Sequence, residues 1–200
     1  MSMMQYFDGA TPSTLLQFLD KSKSISSPKV LELGTKRSLE SRSTMHKEWF
    51  PHAASHQGTD IEAGEDVDFV ADVHKLSKSF APESYDIIVS CSTFEHFKYP
   101  HLAAHEILKV LKLGGLLFVQ THFTFPLHAY PYDYFRFTTE ALSGCFEGQG
   151  VEVIAADYEY PCEISSPADG RHPSYLNTNV FVRKISKTED NYKYILDTNL

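Results

Sequence analysis

Residues Tyr85–Thr121, YDIIVSCSTFEHFKYPHLAAHEILKVLKLGGLLFVQT, constrain the fold more than any other stretch of the chain. In 37 residues they hold an apolar strand, a polar loop, an amphipathic helix, a Gly-Gly turn and a second apolar strand. That order is one βαβ unit. Ile87, Ile88 and Val89 are contiguous, as expected of a strand covered on both faces. Between Pro100 and Lys112, the positions Ala104, Ile107, Leu108 and Leu111 keep the i, i+3, i+4, i+7 spacing of a buried helical stripe. Gly114-Gly115 is expected to end that helix with a left-handed cap, and Leu116–Gln120 to be the next strand. Open α/β sheets hold ligands just beyond the carboxyl ends of such strands, so the loop at Cys91-Ser92-Thr93 falls where chemistry is expected.

The flanking sequence extends the pattern. Thr11–Lys21 reads as a helix capped by Thr11 with Pro12 in its first turn. Lys29–Leu33 reads as a strand followed at once by Gly34, and Ser38 to Trp49 as a weakly amphipathic helix. His56–Ile61 and Val67–Ala71 read as strands, and Lys75–Phe80 as a helical turn. Downstream, Thr138 caps a helix running through Cys145. Val151–Asp157 and Asn179–Ile185 are strands joined by a long loop with three prolines (Pro161, Pro167, Pro173). Without a crossover helix they can pair only antiparallel. The expectation is one α/β domain over residues 1–200, with an N-terminal helix at 11–21, a core at 28–185 and a tail at 186–200. Its sheet is mostly parallel and seven-stranded, with helices on both faces and an antiparallel C-terminal strand pair.

Composition excludes several functions. A hydrophobic share of 42% supplies a core. The net charge of −8 argues against a nucleic-acid binder, which needs a basic surface to neutralise phosphate. The three cysteines (Cys91, Cys145, Cys162) are scattered without CxxC spacing, so reduced thiols are expected rather than a disulfide frame or a zinc site. No apolar run approaches the ~20 residues of a membrane span. The opening MSMMQYFDG lacks the basic and apolar regions of a signal peptide. A soluble cytoplasmic protein is expected.

Four motifs in order resemble the class I S-adenosylmethionine-dependent methyltransferases, in their small single-domain, type 11-like branch. An "LEH" element appears as Phe94-Glu95-His96, and "RVLKPGG" as Lys109-Val110-Leu111-Lys112-Leu113-Gly114-Gly115. His128-Ala129-Tyr130-Pro131-Tyr132-Asp133-Tyr134-Phe135-Arg136-Phe137-Thr138 resembles "H..P.DYWRFT", and the tail pair is the family's own. The likeness covers roughly residues 28–185. It implies a Rossmann-like fold and S-adenosyl-L-methionine as cofactor.

The resemblance also assigns residues. It implies that Glu32 anchors the network around the methionine amine, and that Gly34 and Thr35 lie under the ligand. Asp60, beside Ile61, would accept the ribose hydroxyls, or else simply cap its strand. Asp72 with Val73 would receive the adenine. Cys91 and Ser92 would line the sulfonium side, with Cys91 as packing rather than nucleophile. The family loop E-x-G-x-G-x-G stands here as Glu32-Leu33-Gly34-Thr35-Lys36-Arg37-Ser38, so two of its three glycines are replaced; Lys36 and Arg37 offer charges to the cofactor carboxylate.

Methyl transfer needs an aligned acceptor and, for a hydroxyl, a base. His96, His122, His128 and Asp133 are the candidates. Histidine suits because its unperturbed pKa lies near ~6.5. His96 has an equal alternative role in bonding its own loop, and Asp133 with Arg136 reads as a structural ion pair. His101 and His105 share a helix face at metal-ligand spacing but suggest no third ligand, so a solvated face is expected and no metal site. His46, His56 and His74 show no pattern. The leading function is methyl transfer to a small polar acceptor, on oxygen or nitrogen, in a sugar- or lipid-type pathway. The altered glycine loop motivates an alternative, a non-catalytic binding or regulatory protein of the same fold. A nicotinamide oxidoreductase would need G-x-G-x-x-G after the first strand, which is missing.

Overall fold

A computed structural model describes residues 13–37, 41, 43–128 and 132–188. Helix α1 (Thr14–Ser22) starts at Ser13, whose side chain accepts from the Leu16 amide at 3.3 Å. The expected cap Thr11 and Pro12 lie outside the described residues. Strand β1 (Lys29–Leu33) follows as expected. Strand β2 spans Ser55–Asp60 and β3 is shortened to Phe69–Val70. Strand β4 (Tyr85–Cys91), helix α2 (Pro100–Val110) and strand β5 (Leu111–His122) form the βαβ unit. Helix α3 (Thr139–Gly144) is capped by Thr138, which accepts from Ala141 N at 3.1 Å. Strands β6 (Val151–Ser166) and β7 (Gly170–Lys184) complete the chain.

The seven strands make one sheet in the order β3-β2-β1-β4-β5-β7-β6. The first five are mutually parallel, and β7 is antiparallel to both β5 and β6. Strand order reverses direction between β1 and β4, which makes the carboxyl end of that pair the crevice where such sheets take ligands. Each face buries its own core. On one, Leu31, Leu33, Ile88, Leu117 and Val119 meet Ala104, Ile107 and Leu108 of α2 and Leu142 of α3. On the other, Phe18 of α1 meets Val30, Ile87, Val89, Phe118 and Phe181.

Several expected elements change. In place of a helix over 38–49, the described residues hold one 3-10 turn, Lys47–Trp49; Ser38 is outside the described residues. Helix α2 ends at Val110 and Leu111 is already extended. Gly114-Gly115 therefore lies inside β5, where Gly114 takes φ +79° at a register shift against β4, and does not cap the helix. The long loop with three prolines is instead the far half of a hairpin. Pro161 lies on edge strand β6, and Pro173 lies on β7 beyond the Asn177–Arg183 stretch that pairs with β5. Neither missing N–H costs a ladder bond in the sheet interior.

Candidate functional site

The carboxyl ends of β1, β2, β3 and β4 bring the residues of the expected cofactor crevice to one edge. Asp60 ends β2 and accepts from the amides of Lys36 (3.1 Å) and Glu62 (3.2 Å). A carboxylate has about four lone-pair positions, so room remains for two ribose hydroxyls, and a nucleoside fits here. Ile61 beside it is 59% exposed. Asp72 caps the 3-10 turn Val73–Lys78, accepting from the His74 amide and ring at 2.9 Å. Burial raises its carboxyl, but those bonds outweigh burial and hold it below its ordinary value.

The methionyl end is differently furnished. Glu32 is buried and meets His46 Nδ1 at 2.5 Å, His56 Nε2 at 2.8 Å and the His46 amide at 3.0 Å. Burial pushes its carboxyl up and these bonds bring it down past the ordinary value. Two histidines without a sequence pattern thus converge on one acid, and every Glu32 oxygen is engaged inside the protein. Thr35 is buried, its hydroxyl donating to Asp66 O at 2.7 Å.

Gly34 has φ +73°, and a Cβ there would fall 2.1 Å from Thr93 Oγ1. Ser92, in the left-handed region at φ 49°, turns the chain so that Thr93 folds back over Gly34. Lys36 pairs with Glu62 at 2.5 Å, while Arg37 pairs with Glu65 at 2.7 Å and Asp66 at 2.9 Å. The Cys91 thiol is pushed far up by burial and then by Glu32, Glu159 and Glu95, so it is held as an unreactive thiol.

A second group lies one strand over, at the ends of β4 and β5. Glu95, in the 3-10 turn Phe94–His96, is fully buried, and its Oε2 accepts from Thr121 Oγ1 at 2.7 Å. His122 Nε2 stands 3.1 Å, His96 Nε2 3.7 Å and His128 Nε2 3.8 Å from Glu95 Oε1. The His122 ring stacks on Phe125 at 4.1 Å, which fixes its plane. Burial raises the Glu95 carboxyl, and its contacts with His122 and Thr121 lower it past its ordinary value.

The structure thus brings His96, His122 and His128 together around an acid that sequence reading had left inside a motif. Its place in the loop after β4 was the available signal. Asp133 binds Arg136 through both oxygens, at 2.5 and 2.7 Å, and accepts from the His128 amide at 2.9 Å. The Arg136 bonds hold Asp133 far below the usual carboxylate range, so it is a poor proton acceptor. Backbone bonds from Tyr134 and Phe135 to Glu95 O, and from Phe137 to His122 O, lay this segment against the group. Residues 129–131 lie outside the described residues. His105 is not on a solvated face: it is buried, with Nδ1 at 3.2 Å from Gln149.

A family model described as a methyltransferase domain matches residues 45–119. No curated protein matches the chain. Among solved structures, the YcgJ protein from Bacillus subtilis superposes with a TM-score of 0.60 at 14% identity, covering 88% of this chain and 99% of its own. A SAM-dependent methyltransferase from Archaeoglobus fulgidus gives 0.57 at 14% identity, with coverage of 90% and 98%. The 1,6-didemethyltoxoflavin-N1-methyltransferase of Burkholderia thailandensis, solved with 1,6-didemethyltoxoflavin and S-adenosylhomocysteine bound, gives 0.59 at 12% identity, with coverage of 90% and 81%. Among the described residues no helix is long and apolar enough to cross a membrane.

Proposed function

We propose that the chain is a class I S-adenosylmethionine-dependent methyltransferase that methylates an oxygen or nitrogen of a small polar acceptor, a reading supported by the methyltransferase-domain match over residues 45–119. The observation that carries this is Asp60: a carboxylate at the end of the strand beside the switch point, with half its acceptor capacity unused. Asp60 holds the ribose, Asp72 and the Val73 amide take the adenine edge, and Ile61 supplies an exposed apolar wall. Gly34, Thr35, Cys91 and Ser92 form the floor of the crevice. When bound, S-adenosylmethionine supplies an already activated methyl group.

The polar group at the ends of β4 and β5 receives the acceptor. Part-exposed Phe125, Tyr132 and Tyr134 give it flat walls, which suits a sugar-like molecule. The acceptor proton goes to a histidine Nε2, at His96 or His128, the two rings with the greater exposure. Asp133 acts through His128 as a positioning residue. The three free cysteines fit a reducing cytoplasm.

Calorimetric titration with S-adenosylmethionine and S-adenosylhomocysteine tests this reading. Micromolar binding is expected, weakened at least tenfold in Asp60→Ala, since the variant loses both ribose acceptors. Equal binding by the variant overturns the ribose assignment. A specific observation favours a second reading: Thr93 fills the space over Gly34, and both loop cations are paired internally. A folded protein that binds neither compound would be the non-catalytic form of the family.

A further inference from the structure

The geometry points to a divalent transition-metal site built from Glu95, His122 and His128, with His96 beside it. The case rests on counting protons. His96 Nδ1 lies 2.6 Å from the carbonyl of Tyr132, which can only accept. His128 Nδ1 lies 3.2 Å from Pro126 O and 3.2 Å from Asp133 Oδ2, a carboxylate held ionised by Arg136. His122 Nδ1 lies 3.2 Å from Asn177 Oδ1. His96 and His128 therefore place their proton on Nδ1 and present a bare Nε2 lone pair, and His122 does the same when its Nδ1 donates to Asn177 Oδ1. All three Nε2 atoms face Glu95 Oε1, a buried oxygen with no hydrogen-bond partner among the described residues.

Lone pairs converging without a hydrogen between them repel, and a buried oxygen left without a partner is destabilising. One added proton would bridge only the 3.1 Å contact to His122. A metal ion answers the Glu95, His122 and His128 lone pairs at once.

Spacing agrees. Ligand atoms about 2.1 Å from a tetrahedral ion stand ~3.4 Å apart. The two imidazole nitrogens lie 3.1 and 3.8 Å from the carboxylate oxygen, and the three ligand atoms all fall within 4.8 Å of one another. Two imidazoles and one carboxylate, with a further position open, suit zinc, iron, cobalt or manganese rather than calcium or magnesium. Nδ1 partners that fix tautomer and ring plane are the outer support metal-bound histidines ordinarily have; Asn177 and Asp133 supply it.

The site does not depend on methyl transfer. Its use does rest on the reading above: an ion here would hold an acceptor oxygen and lower its pKa. With His122 and His128 as ligands, His96 is then the ring left to take the proton.

The test uses the full chain without a histidine tag, stripped with chelator and titrated calorimetrically with zinc chloride. One equivalent is expected to bind, and cobalt substituted for zinc is expected to show the visible absorption of a tetrahedral ion. Glu95→Gln and His128→Asn should abolish binding. Asn177→Ala, which leaves all ligands in place, should weaken it about 10–100-fold. No zinc uptake by the folded protein overturns the proposal, as does uptake unchanged in all three variants. S-adenosylhomocysteine titrated into the stripped protein reports the cofactor site separately, so failure of one site is distinguishable from failure of the other.

Discussion

Glu32 and Glu95 are both buried acids beside histidines, yet they sit in different networks. Glu32 ties the segment carrying His46 to β1 and β2, with both its oxygens bonded inside the protein. Removing it in Glu32→Ala leaves the part-buried donors of His46 and the buried His56 ring unanswered, a loss expected near 2–4 kcal/mol at about 1–3 kcal/mol per orphaned group. Denaturant unfolding at neutral pH measures it. The pH dependence has a definite sign. The folded Glu32 carboxyl lies below its ordinary value, so its stabilisation is full above about pH 4.3 and is lost as pH falls through the folded value. Glu32→Gln should therefore flatten the fall in stability between neutral and acid pH, and an unchanged fall would assign the acid sensitivity elsewhere. Neither acid was readable as a hub from letters. His46 and His56 are 14 and 24 positions from Glu32, and the register of β1 against β2, with Val30 opposite His56 and Gly58 opposite Glu32, brings the His56 ring within reach along the strand pair.

At the scale of elements, what was legible followed burial. Ile87–Val89 of β4 and Leu116–Val119 of β5 are contiguous apolar runs covered on both faces, and β1 is apolar from Val30 to Leu33 but for the buried Glu32. The C-terminal hairpin was legible only in its inner half, because Ile154 and Phe181 pack into the core that Phe18 of α1 covers. The outer half is solvated, so its prolines read as loop although an edge strand tolerates them. Helix α1 shows how one side chain anchors an element. The Phe18 ring stands 5.2 Å from Phe118, 5.4 Å from Phe181 and 5.9 Å from Phe50, and Phe18 is fully buried. Phe18→Ala should cost about 3–5 kcal/mol, the range for a buried aromatic truncated where the surroundings cannot collapse. Phe18→Leu should recover more than half of it. If Phe18→Ala costs under 1 kcal/mol by denaturant titration, α1 is not docked on the sheet as described, since that is far below the expected range.

For the whole molecule, the sheet order sets the strand ends of the proposed nucleoside crevice, at β1, β2 and β3, beside the Glu95–histidine group at β4 and β5. The strand ends that line the proposed crevice were legible because position along the chain fixes which residue ends which strand. The histidine group was only half legible, since His122 and His128 belong to β5 and the chain beyond it while Glu95 follows β4. A single continuous sheet joins both sites, so a ligand at one edge should stabilise the entire fold in a single unfolding transition. A ligand binding only the folded state adds about 2.7 kcal/mol at a hundred times its Kd. For a domain of this size each kcal/mol raises Tm by roughly 2–4 °C. S-adenosylhomocysteine at that excess should therefore raise Tm by about 5–11 °C, with one calorimetric peak before and after. Two separating peaks would mean that the β6–β7 hairpin unfolds on its own. A single unmoved peak, in a protein that binds the compound at low temperature, would mean that unfolding begins in a segment the ligand does not stabilise.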